Sequence, residues 1–137
     1  FHPLNVMVDG AEASVLDWTD AGLGPREADV ARTVLLLNVA SIAADRAIER
    51  VALKVAGPRL AHRYRRTYEA GAPLDEDRLR SWEALHALHG WAQIAMLHAG
   101  AFGGASSSAG NEARVPIELA HWLRARFESD LARTATR

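Results

Sequence analysis

Cysteine is absent from the 137 residues, which removes both a disulfide framework and any thiolate metal site. Charge of one sign is missing too. Sixteen Lys and Arg face 17 Asp and Glu, a net charge of -1, so no global field draws the chain toward nucleic acid or anionic lipid. The longest apolar run, "TVLLLNVASIAA", falls short of the roughly 20 residues that span a bilayer. With no signal-peptide pattern either, no membrane and no nucleic-acid partner are expected, and a cytoplasmic location is. No internal repeat is evident, and no Ser-His-Asp arrangement is legible, because "SSS" has no strand-to-helix elbow around it. What is present, 49% hydrophobic and 24% charged residues, suits one globular domain or one lobe of a larger one.

The chain divides into a β-like head and a helical body. "NVMV" and "SVLDW" are apolar, β-branched-rich runs separated by "DGAEA", whose Asp9-Gly10 pair is a tight-turn signal. A β-hairpin is expected there. After "AGLGP", residues Glu27 to Ala56 carry neither Pro nor Gly and read as helix, with a break near Asn38 to Ser41 and a stop at Gly57-Pro58. Arg59 to Ala70 reads as a basic, Tyr-containing helix ending at Gly71. "APLDEDRLRSWEALHALHG" opens with acids suited to a helix N-terminus, and Leu79, Trp82, Leu85 and Leu88 propose its buried face. "AFGGASSSAGNEARV" holds too few large apolar residues to offset ordering entropy and reads as a mobile loop. Pro116 then opens a final amphipathic helix. The expected divisions are 1–24 for the hairpin segment, 25–98 for the helical body, 99–115 for the loop and 116–137 for the last helix.

Chemistry concentrates in the head. Phosphoryl transfer needs a divalent metal on hard oxygen ligands, and a carboxylate with an amide oxygen supplies them without thiols. Asn5 at the start of the first run and Asp17 at the end of the second would meet at the open end of an antiparallel hairpin. Taken singly, such residues read as turn or capping residues.

Several motifs at fixed spacing add to this. "FHPLNVMVDG", "SVLDW" and "GLGPREADVARTVLLL" together resemble the aminoglycoside phosphotransferase family, a branch of the protein-kinase-like fold, whose pattern is H-G-D-x-x-x-x-N, a strand, a D-W segment and G-D-P-x-x-D-[LV]-A. The resemblance implies a mostly α (α+β) fold, an amino-terminal β-hairpin followed by a helical bundle, as in the C-terminal lobe of such enzymes. It implies that Asn5 and Asp17 are metal ligands and that Asp29 braces the catalytic loop. It makes His2 a candidate phosphate contact, and it places the H-G-D base just before Phe1. The implied cofactors are Mg²⁺ and ATP or GTP, and the implied partners a nucleotide and a small hydroxylated substrate. Leu4 stands where the family usually has Gly, and "GPREAD" stands for "GDPxxD", so the turn before the helix is expected to differ. A chain of this composition without the nucleotide-cradling lobe is expected to be inactive alone.

Other constellations read blandly. Glu83, His86 and His89 recur in steps of three, which drift around a helix rather than share a face. Trp82, Trp91 and Trp122 read as core anchors, and Arg63, Arg65 and Arg66 as a solvated helix face. From Ser81 onward five acids balance five arginines, unlike the acidic helices that match a polycationic aminoglycoside, so a neutral or weakly charged hydroxyl substrate is expected. The competing expectation is a non-catalytic helical module, or a degenerate kinase-like fragment, that self-associates as a homo-oligomer through an exposed lobe surface.

Overall fold

The computed structural model describes residues 5–18, 22–99 and 115–135, with the side chains of the last two left aside. Strands β1 (Val6–Asp9) and β2 (Glu12–Val15) form one antiparallel hairpin, with Val6 opposite Val15 and Asp9 opposite Glu12. The turn is therefore Gly10-Ala11, one residue later than Asp9-Gly10 suggested. Gly10 takes φ 58 at its first central position, where the absence of a Cβ removes the steric penalty. Four helices follow: α1 (Arg26–Ala43), α2 (Ala47–Gly71), α3 (Glu76–His98) and α4 (Ile117–Ala135). The mostly helical architecture with an amino-terminal hairpin is as the sequence implied. Among the described residues no helix is long and apolar enough to cross a membrane.

Helix α1 is the hub, packed on α2 and α3, while α3 carries α4. Two apolar clusters hold this arrangement. Val30, Ala31, Leu74 and Leu79 are buried near the start of α1, with Tyr64, Tyr68 and Trp82 against them. Leu35, Val39, Ala87, Ile94, Ala120 and Leu123 are buried farther along, flanked by Trp91, Trp122 and Phe127. All three tryptophans on α3 and α4 thus pack against the core.

Three local expectations are corrected. The helix break falls at Ala44–Arg46 rather than Asn38–Ser41, because Val39 must stay in register to reach α3 and α4. The extended Ala44 is stabilised instead by Arg50, whose guanidinium donates to the Ala44 carbonyl at 3.0 Å.

Gly57-Pro58 does not stop a helix but lies inside α2. A residue before Pro is normally pushed out of helical geometry by its own Cβ, and Gly has none. The same missing atom lets α1 approach, since a Cβ on Gly57 would stand 2.3 Å from the Leu37 carbonyl oxygen.

On α3 the buried residues are Leu79, Ala84, Ala87 and Ile94, and Leu85 is 49% exposed. A row in steps of three lags the 3.6-residue turn and rotates out of the core.

Polar clamps lock the helices. Asp75 caps α3 by accepting from the Asp77 and Arg78 amides at 3.0 and 3.1 Å. Arg65 bridges Glu69 on its own helix and Glu76 on α3. Between α3 and α4, Arg126 donates to Glu83 at 2.8 Å and to the fully buried Asp130 at 2.7 Å, and Arg133 closes on the other Asp130 oxygen.

Candidate functional site

The hairpin opens toward the start of α1. Antiparallel pairing runs one step past the strands, with the Leu16 amide donating to the Asn5 carbonyl at 2.7 Å, so Asn5 and the residue after Leu16 are held at one end. That residue is Asp17, the single described non-glycine residue at positive φ, 56°. A left-handed conformation costs an Asp less than most non-glycine residues, and it turns the chain sharply just after β2. Asn5 therefore precedes β1 and Asp17 follows β2, rather than lying in the strands as the sequence suggested. Trp18 then folds back, its indole N–H donating to the Val15 carbonyl at 2.9 Å.

The other wall is built by α1 and α2. Two side chains at the beginning of α1 fix it to the α2–α3 connection. The Arg26 guanidinium donates to the carbonyls of Tyr68 at 3.2 Å and Ala72 at 2.6 Å, and sits 5.2 Å from the Tyr68 ring centroid. The buried Glu27 carboxylate accepts from the Asp75 amide at 3.2 Å. These contacts bring Tyr64 and Tyr68 beside α1, their rings 5.7 Å apart at 46°. Burial pushes the Tyr64 phenol up from its ordinary range, a shift that a hydrogen bond with Thr33 opposes. The phenol is neutral near pH 7.

Between these walls lies a cavity of about 660 Å³, within the size range of small-molecule sites. Asn5, Asp17 and Asp29 all line it, along with Trp18, Arg32, Tyr64 and Tyr68. The structure so brings together three of the four residues singled out from the sequence. His2, the position before Phe1 and most of the 99–115 loop lie outside the described residues.

Glu83, His86 and His89 make no metal site, and no group of three or more His, Cys, Asp or Glu suited to a metal occurs among the described residues. Glu83 is taken by Arg126. His86 donates its Nε2 proton to the Ala28 carbonyl at 3.0 Å, and burial pushes its pKa down, with Arg32 and His89 adding to the shift.

Several residues that build this site carried no assignment in the sequence: Arg26 and Glu27 as anchors, and Arg32, Tyr64 and Tyr68 as lining. The signal available for the tyrosines was their spacing of four, which places both on one helix face.

A family model described as the phosphotransferase enzyme family matches residues 1–82, more than half of the chain and the part that contains the hairpin, α1, α2 and the cavity they enclose. No curated protein and no solved structure matches the chain.

Proposed function

The chain belongs to the phosphotransferase enzyme family, and on that premise we propose that its protein transfers the terminal phosphate of ATP or GTP to a hydroxyl of a small molecule, with Mg²⁺. The observation that carries this is the meeting of Asn5 and Asp17 on one wall of the cavity, with Asp17 held at φ 56.

The donor set fits the ion. An amide oxygen and a carboxylate are both hard ligands, and two protein ligands suffice for an ion that keeps waters and leans on substrate phosphates. When bound, Mg²⁺ neutralises charge on the phosphates being separated. Asn5 and Asp17 would hold it, Asn5 fixed by the Leu16 amide and Asp17 being the next residue, so little ordering remains to be done on binding. Asp29, one wall across, takes the bracing role toward the catalytic loop, and His2 a phosphate contact. The tyrosine face supplies an apolar, water-excluding side on which the acceptor rests.

Asp17→Ala in the full-length protein tests this. Turnover in a coupled nucleotide assay should fall about a hundredfold or more, and calorimetry should show weakened Mg²⁺–nucleotide binding. Undiminished turnover would sink the assignment.

A second reading, self-association, is favoured by one observation. Ile48, Val51 and Val55 are 79%, 68% and 51% exposed and share one face of α2. A strict monomer in sedimentation at high concentration removes it.

A further inference from the structure

Arg32 is the one cation lining the cavity among the described residues, and it makes no hydrogen bond or ion pair with any of them. That sets it apart from its neighbours. Arg26 is bound to two carbonyls, Arg65 to Glu69 and Glu76, and Arg126 to Glu83 and Asp130. Asp29 stands one turn earlier on the same helix, yet no ion pair joins it to Arg32. A guanidinium presents five donors in a planar fork that matches a carboxylate bidentately.

The surface beside Arg32 is equally specific. Tyr64 and Tyr68 offer two tilted ring faces, and both are pinned, Tyr68 under the Arg26 guanidinium and Tyr64 by Thr33. Because the Tyr64 phenol is neutral, it does not compete as an anion for Arg32. The pinned rings also lose little rotamer freedom when a flat group is laid on them. A free cation beside a preformed aromatic wall selects a ligand with one anionic group and a planar or apolar body.

We propose that Arg32 binds the carboxylate of the phosphate acceptor, which is a small hydroxylated carboxylic acid whose body rests on Tyr64 and Tyr68. This deepens the phosphotransferase reading and rests on it only for the fate of the hydroxyl. A single carboxylate also agrees with the balanced charge of the later helices, which contain no excess of acids to receive a polycation.

The test uses 4-(hydroxymethyl)benzoate and its neutral counterpart 4-(hydroxymethyl)benzamide as probes, titrated into the protein without nucleotide or Mg²⁺. Binding is followed by calorimetry, by the arginine Nε–H resonances and by the tyrosine ring resonances. The acid should bind about tenfold or more tighter than the amide, shifting the Arg32 and tyrosine signals together. Arg32→Gln should erase the preference and leave thermal unfolding near neutral pH unchanged, since Arg32 is exposed and makes no hydrogen bond or ion pair with a described residue. Arg32→Lys should keep part of it.

Equal binding of acid and amide, binding of neither, or a preference that survives Arg32→Gln overturns the proposal. So does an Arg32→Gln variant that loses affinity for Mg²⁺–nucleotide instead of for the acid. Acid binding that requires Arg32, in a full-length protein that transfers no phosphate, upholds this subsite while the phosphotransferase reading fails. Phosphorylation of neutral alcohols by a protein indifferent to the acid does the reverse.

Discussion

Gly57→Ala sets two effects against each other, and the geometry decides between them. Gly in a helix interior is disfavoured relative to Ala by about 1 kcal/mol, so helix propensity alone predicts a more stable protein. The new Cβ, however, would stand 2.3 Å from the Leu37 carbonyl oxygen, against an ordinary contact of 3.4 Å or more. The helices must separate by about 1 Å, and the atom in the way is backbone of α1, fixed within its own hydrogen-bond ladder. Overpacking of this kind costs about 1–3 kcal/mol. The Cβ also restores the steric conflict with Pro58 that Gly57 avoids. The net expectation is a loss of about 2 kcal/mol, or about 6 °C in Tm for a chain of this length.

Gly90→Ala is the control, because its Cβ meets only side-chain atoms, the two Leu123 methyls at 3.1 and 3.7 Å, which need shift by only a few tenths of an ångström. It should be neutral or stabilising by up to about 1 kcal/mol. Thermal unfolding followed by far-UV circular dichroism measures both. Adding Pro58→Ala to Gly57→Ala should recover the part due to the proline and no more. A Gly57→Ala variant as stable as the parent would refute the close approach of α1 and α2 at this point.

Asp130→Ala should destabilise by about 2 kcal/mol in denaturant unfolding, because it removes the fully buried carboxylate that ties Arg126 and Arg133 together, while Arg126 keeps Glu83. Truncating the α3 cap by Asp75→Ala should cost about 1 kcal/mol in the same assay. His86 makes stability depend on pH. Its folded pKa lies below the ordinary 6.5, first through burial, so on acidification the unfolded chain takes up the proton first. Stability should fall as pH drops below about 6.5 and level off below the folded pKa. Ala28 accepts its proton, with Asp29 opposing the shift and Arg32 and His89 adding to it. His86→Gln should flatten this part of the profile, and an unchanged slope would assign the dependence to other groups.

The fold was legible where one short segment carries its own instruction. Asp9-Gly10 announced the hairpin, and the Asp75–Asp77 acids announced the start of α3, because a left-handed turn and a helix cap are both satisfied within four residues. Gly57-Pro58 misled for the opposite reason. Read locally it is a stop, but the pair is compatible with helix once Gly removes the pre-proline clash, and the benefit lies on another helix at Leu37. The α3 face was legible at its start, where Leu79 is buried and Trp82 packs on the core, and misled at Leu85, because large apolar residues in steps of three outweigh, to the eye, the small Ala84 and Ala87 that the core contains. Packing selected size and angle together, and only the angle can be read from spacing.

Half of the candidate site follows from pairing rules and half does not. Eleven residues separate Asn5 from Asp17 along the chain, and the antiparallel hairpin, with its turn at Gly10-Ala11, brings them together by setting Asn5 opposite Leu16. Nothing local joins them to Tyr64 and Tyr68. That step depends on the first turn of α1, where Arg26 grips carbonyls at the end of α2 and Glu27 grips the amide that precedes α3. Both contacts use side chains to satisfy backbone groups at helix ends, where the ladder leaves carbonyls and amides without intrahelical partners. Arg26 accepts a penalty there, since its Nε is buried without a partner among the described residues, and the Tyr68 ring beneath the guanidinium offsets part of it. The departure from the family's G-D-P-x-x-D pattern is thus where this chain fixes its second wall. Asp29 keeps its spacing in "GPREAD" while the two residues after Pro25 anchor the helix that carries it. The hairpin supplies the oxygen ligands, the anchored helix supplies Asp29 and Arg32, and the tyrosines complete a cavity whose chemistry no single one of these segments contains.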